Sequence, residues 1–164
     1  MTSFVTATTG SAATTIDTVT AAVMDRFNRA FVDHDPTLLD DLVAEDCVMV
    51  AARPAPEGER VEGREDCLAF WRTLASDPSS RFRPDEVVVA GDRATIFWRY
   101  TFGPGPLDHV LGVNLMRLDE NGLIVEALGY SKTGGEVPLA TDADAGSGTS
   151  TDARAHAGTA SNGA

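Results

Sequence analysis

The sequence is poor in positive charge. Thirteen Lys and Arg face twenty-five Asp and Glu, which leaves a net charge of −12, and Lys132 is the only lysine. So acidic a chain carries no basic stripe to neutralise phosphates, so nucleic acid is not an expected partner. Anionic membrane surfaces repel it for the same reason. Cysteine is scarce too. Cys47 and Cys67 have no further Cys or His at metal-ligand spacing, and two buried free thiols are expected, with a single disulfide as the alternative. Long apolar runs are missing: nothing approaches the ~18 residues of a membrane span, and residues 1–7 lack the charged and apolar segments of a secretory signal. A cytoplasmic location is the expectation. No phosphate-cradling glycine loop, Gly-x-Ser-x-Gly turn or His-Glu-x-x-His helix occurs, so no cofactor and no metal are expected.

What is present is enough for one domain. Hydrophobic residues make up 43% of the chain, and a core of about 120 residues can bury enough apolar surface to fold without staples. Residues 1–14 and 139–164 are rich in Thr, Ala, Ser, Gly and Asp and have no periodic large apolar residues. Such segments cannot offset the entropy of ordering and are expected to be flexible tails. The domain is expected over 16–138.

Within it, Ile16, Val19, Val23, Phe27, Ala30 and Phe31 recur at helical spacing and predict a helix that stops near His34. Asp35-Pro36 provides a cap and a first-turn proline for a second helix, with Leu38, Leu39, Leu42 and Val43 as its apolar face. A strand is expected over 47–51, a loop over 52–62, and a third helix over 64–75 that buries Leu68, Phe70 or Trp71, and Leu74. Four strands follow, over 86–90, 93–102, 109–118 and 123–131, joined by Gly91-Asp92, by Gly103-Pro104-Gly105-Pro106 and by Asp119-Glu120-Asn121-Gly122. Asn-Gly tolerates the positive φ of a tight hairpin, and tight turns imply an antiparallel sheet. The fold class is α+β, a curved antiparallel sheet with three helices in the N-terminal half.

This order resembles the nuclear transport factor 2-like superfamily, in its SnoaL-like and ketosteroid isomerase-like branch. The matching segments are Arg26-Phe27 through His34-Asp35, Leu42-Val43-Ala44-Glu45-Asp46-Cys47-Val48, Glu62-Gly63-Arg64, and Met116-Arg117-Leu118-Asp119-Glu120-Asn121-Gly122-Leu123-Ile124. The resemblance implies a cone-shaped sheet around an apolar pocket, a homodimer through the outer sheet face, and a hydrophobic small-molecule ligand. It also implies positions for chemistry. The tyrosine of ketosteroid isomerases falls on Phe27, their aspartate base on Ala51, and their oxyanion-binding aspartate on Asn114. The late aspartate of epoxide hydrolases falls on Gly129. Of these only Asn114 keeps a hydrogen-bond donor.

Other candidates come from the residues themselves. Asn114 shares a strand face with Gly112 and Met116, amid apolar neighbours. His109 follows Asp108, and a histidine side chain suits proton transfer. Arg53, entering the Pro-rich loop, can reach over a cavity mouth to polarise a carbonyl or bind a carboxylate. The strand at 94–102 has two readings. Ile96, Trp98, Tyr100 and Phe102 form one face, while Thr95, Phe97, Arg99 and Thr101 form the other. Either Trp98 and Tyr100 wall the cavity, or Phe97 and Arg99 point into it; the family register favours the second. Trp71 is a core residue or a ligand contact. The resulting expectation is a cofactor-free isomerase, cyclase or dehydratase acting on a hydrophobic carbonyl compound. Asn114 would be its oxyanion donor, and Arg53, Arg99, Tyr100 or His109 would assist. The alternative is a non-catalytic binding or dimerisation module.

Overall fold

The computed structural model describes residues 15–132. Both expected tails, and the end of the expected domain at 133–138, lie outside the described residues. The architecture is α+β, with two α-helices and a six-stranded curled, unclosed sheet. In chain order the elements are α1 (Thr15–Val32), a single 3-10 turn (Pro36–Leu39), β1 (Val43–Val50), β2 (Arg60–Glu62), α2 (Arg64–Ala75), β3 (Phe82–Ala90), β4 (Arg93–Thr101), β5 (His109–Leu118) and β6 (Ile124–Ser131). The strand order is β2-β1-β6-β5-β4-β3.

Helix α1 buries Thr20, Met24, Phe27, Asn28, Ala30 and Phe31 on one face. Its first turns grip the β3–β4 hairpin: Thr20 Oγ1 donates to Gly91 O at 2.8 Å, and Gly91 N–H donates to Asp17 Oδ1 at 2.7 Å. It ends at His34, whose φ of 54° turns the chain while Asp35 N–H donates back to Ala30 O, the wiring of a left-handed helix cap.

The second helix expected after Asp35 is only four residues long. Asp35 caps it through Thr37 N–H, and bonds of the i→i+3 kind, Asp40 to Thr37 and Leu42 to Leu39, close it. The apolar run then enters β1 directly, because Val43 pairs with Ile124 of β6. That pairing is parallel, so the sheet is mixed rather than wholly antiparallel; β3 to β6 form the antiparallel part. The loop expected over 52–62 contains the short edge strand β2. Its tip returns through Ala51 N–H to Glu59 O, Glu59 N–H to Arg53 O and Gly58 N–H to Pro54 O. Gly58 sits at φ 80°, and a Cβ there would stand 2.0 Å from Ala51 O, so this closure requires glycine.

Helix α2 spans the expected residues. It buries Cys67, Leu68, Trp71 and Ala75, while Leu74 is left half exposed. Cys47 and Cys67 are free and fully buried, as expected, and the Cys67 thiol faces Cys47 O and Val61 O. Burial pushes both thiols up from their ordinary values. No described helix is long and apolar enough to cross a membrane.

Candidate functional site

The concave face of the sheet and the two helices enclose a cavity of about 280 Å³. Its walls are mostly side chains that the core pattern already places inside. Five rings run around it in contact. Trp71 meets Phe27 edge-on at 5.3 Å, Phe27 meets Phe31 at 5.0 Å, Phe31 meets Phe82 at 5.4 Å, and Phe82 meets Trp98 at 6.1 Å. All five line the cavity, with Met49 to Arg53 at the end of β1, Phe70 and Leu74 of α2, and Ala127 and Gly129 of β6.

The open question about β4 is resolved by this ring belt. Ile96 is fully buried, and Trp98 and Tyr100 line the cavity, so the aromatic face points inward. The reading that favoured the mixed face is corrected. Phe97 is 40% exposed on the outer side. Arg99 points away from the cavity and lies 3.5 Å from Asp85 Oδ2. The physical reason is packing: Trp98 has a ring partner in Phe82 and space above Gly112, whereas an inward Arg99 would bury a charge with no anion in the lining.

Asn114 lines the cavity from β5. Its Oδ1 accepts a hydrogen bond from Trp98 Nε1 at 3.0 Å. An indole N–H can only donate, so this contact fixes which way the amide faces. The oxygen is turned to Trp98, and the Nδ2 donors are left without a partner among the described residues. Two glycines make the arrangement possible. A Cβ on Gly112 would stand 2.2 Å from the Trp98 ring, and one on Gly129 would stand 3.4 Å from Asn114 Oδ1. Glycine inside a strand marks such close approaches, and Gly112 is directly opposite Trp98 in the β4–β5 register.

The remaining polar lining groups are Tyr100, Ser80 and Arg53. Asn114 pairs with Ile96 across the strands. Tyr100 is four residues further along β4, about 14 Å at the usual strand rise, so the phenol and the amide serve opposite ends of the aromatic wall. Arg53 and half-exposed Leu74 are the exposed members of the lining and mark the mouth. Neither a carboxylate nor an imidazole is among the residues lining the cavity, and no group of acidic, His or Cys side chains that could hold a metal ion occurs among the described residues.

The other sequence candidates divide clearly. Phe27, Ala51, Trp71 and Gly129 are in the lining. His109 is not; it pairs with Thr101 at the far end of β5, and Asp108 accepts Gly105 N–H at 2.8 Å within its own loop instead of orienting His109. Met116 is on the inward face but is 2% exposed and packed into the core beyond the cavity. Among the lining residues that sequence reasoning did not name as candidates are Ser80, Phe82 and Ala52. Phe82 carries a readable signal, since it alternates with fully buried Pro84 on β3; Ser80 and Ala52 carry none.

Comparison with known proteins agrees with this geometry. The chain superposes on an NTF2-like protein of unknown function from Mesorhizobium loti at 45% identity and a TM-score of 0.69, covering 78% of this chain and 99% of that one. More distant structures share the fold. One is a putative ketosteroid isomerase from Kribbella flavida, with 19% identity, a TM-score of 0.60, and 76% and 85% coverage of this chain and that one. Another is a putative SnoaL-like polyketide cyclase from Jannaschia, with 20% identity, a TM-score of 0.58, and 74% and 91% coverage. No curated protein matches. Residues 24–127, from the buried face of α1 to the cavity wall of β6, match the SnoaL-like domain, and the chain therefore belongs to the SnoaL-like family.

Proposed function

We propose that the cavity binds a hydrophobic, carbonyl-bearing small molecule and polarises its carbonyl through the Asn114 amide. The observation that supports this reading is the Trp98–Asn114 hydrogen bond, which commits Oδ1 and leaves Nδ2 to a mostly apolar space. A preset donor in a dry site stabilises charge that develops on an oxygen. Such charge develops in isomerisation, cyclisation and dehydration of ketones, and those are the cofactor-free reactions the pocket suits. Arg53 at the mouth favours ligands that also carry a carboxylate or an enolic oxygen.

The lining gives the reaction no carboxylate or imidazole. Proton transfer falls to the Tyr100 phenol or to a basic group on the substrate. The same observation favours a second reading, a binding module that holds its ligand without turnover.

The test is a thermal-shift and titration screen of aromatic polyketides, steroids and terpenoids, each ketone paired with its deoxo analogue. Ketones bind about tenfold tighter, the value of one well-made hydrogen bond, and Asn114→Leu removes the difference. Equal affinity of ketone and deoxo analogue in the unaltered chain sinks the carbonyl reading. Deuterium uptake beside the carbonyl of a bound ketone, faster than in buffer, marks the enzyme; uptake at the buffer rate marks the binding module.

A further inference from the structure

A second donor stands beside Asn114. Strand β1 ends at Val50, paired with Leu128 of β6, and the chain leaves the sheet there. Ala51 N–H is spent on Glu59 O, on the β2 side. The chain bends at Ala52, and Ala52 N lies against β6, 2.9 Å from the point where a Cβ of Gly129 would stand. It makes no ladder bond there, because the β1–β6 register ends at Val50 with Leu128. Among the described residues Ala52 N–H has no hydrogen-bond partner, and Ala52 lines the cavity.

Its position relative to Asn114 is set by Gly129. The point where a Cβ of Gly129 would lie is 2.9 Å from Ala52 N and 3.4 Å from Asn114 Oδ1. Ala52 N and the oxygen end of the Asn114 amide therefore flank the same missing methyl group, on the inward face of β6. Any other residue at 129 would fill the gap between them. A backbone N–H left unpaired in an apolar cavity is costly unless something accepts from it.

We propose that Ala52 N–H and Asn114 Nδ2 act together as a two-donor site for one ligand oxygen, and that Gly129 keeps the approach to both donors open. This rests on the carbonyl reading above and sharpens its substrate class. Two convergent N–H donors favour an oxygen that carries or develops negative charge, an enolate or a vinylogous acid, over an alcohol or ether. The backbone donor also explains how a site can keep oxyanion chemistry where the side-chain donor at that point, Asn114, is a neutral amide.

The test uses the full chain, labelled with nitrogen-15, and a panel of acetophenone, acetonaphthone and tetralone, each beside its deoxo hydrocarbon. On binding the ketone that gives the largest shifts, the Ala52 amide proton and one Asn114 Nδ2 proton both move downfield, and the hydrocarbon moves neither. Gly129→Ala abolishes the Ala52 response. In Asn114→Leu the bound carbonyl still shows part of its infrared shift, owing to the remaining donor. An Ala52 proton that stays in place while Asn114 Nδ2 moves downfield overturns this inference and leaves the carbonyl reading standing. If neither proton responds to a bound ketone, or no member of the panel binds at millimolar concentration, the carbonyl reading falls and the two-donor site falls with it.

Discussion

Replacing Gly112 by Ala tests the seat on which the Asn114 amide depends, without replacing a cavity-lining residue. The new Cβ would stand 2.2 and 2.4 Å from two carbons of the Trp98 indole and 2.4 Å from Tyr130 O. Ordinary contact begins near 3.4 Å. The indole must therefore withdraw by more than an ångström, while the Tyr130 carbonyl, being backbone in β6, can give little. A shift of that size stretches the 3.0 Å bond from Trp98 Nε1 to Asn114 Oδ1 beyond hydrogen-bond range. Overpacking of this kind costs about 1–3 kcal/mol, and the lost bond adds about 1 kcal/mol. In a domain of this size the combined loss lowers the melting temperature by roughly 10 °C. Circular dichroism reads the melting point, and fluorescence reports the displaced indole, since Trp71 is the only other tryptophan. Ketone affinity falls with it, because the freed amide no longer presents Nδ2 by default. A variant that melts within 2 °C of the unaltered chain and keeps its ketone preference would refute the claim that Gly112 seats Trp98 and Trp98 orients Asn114.

Three further outcomes are expected. The Asp119 carboxylate accepts from Leu123 N–H and Asn121 N–H, both at 2.9 Å, in the β5–β6 hairpin, and the Leu123 bond leads in holding its pKa below the ordinary carboxylate value. A folded pKa below the unfolded one gives stability that is present above about pH 4 and is lost as pH falls through the lowered folded value; Asp119→Asn flattens that acid limb in urea titrations, and an unchanged limb refutes it. Cys47 and Cys67 are buried with raised pKa values, so thiol reagents at pH 8 label neither in the native chain and both in denaturant; native labelling within minutes contradicts the packing. On the outer sheet face Phe97, Val113 and Tyr130 line up across three strands, with Leu115 beside them, and Phe97, Leu115 and Tyr130 are all at least 40% exposed. The expected homodimer uses this face: sedimentation gives twice the chain mass and Phe97→Glu halves it, whereas a monomeric unaltered chain removes the expectation.

Much of the fold was legible because local signals agreed with tertiary ones. Gly63, at φ 87°, starts α2 where its helical pattern begins, and Asn121-Gly122 closes the β5–β6 hairpin where the alternation breaks. The failures have physical causes. Leu38, Leu39, Leu42 and Val43 have helical spacing, yet the parallel pairing of Val43 with Ile124 draws the chain into β1 after one turn. Strand β2 is a three-residue polar edge with no apolar alternation to announce it. On β4 alternation separates two faces but gives no sign, since both carry aromatic residues; the sign comes from Phe82 and Gly112, which are remote in sequence from Trp98. Asn114 was visible as a lone amide on an apolar strand. Its orientation was not, because that depends on an indole sixteen residues away. Ala52 was invisible altogether, since its contribution is a backbone amide left over where a strand ends.

The central claim is that this cavity holds a carbonyl oxygen against the Asn114 amide, and a crystal structure with the tightest-binding ketone of the screen tests it most directly. The account predicts the ketone oxygen about 2.9 Å from Asn114 Nδ2, an ordinary N–H···O distance, with Asn114 Oδ1 still bonded to Trp98 Nε1 and the ring system among Phe27, Phe31, Phe82 and Trp98. A ketone bound with its oxygen toward the mouth at Arg53, or with Asn114 Oδ1 turned away from Trp98, would contradict it.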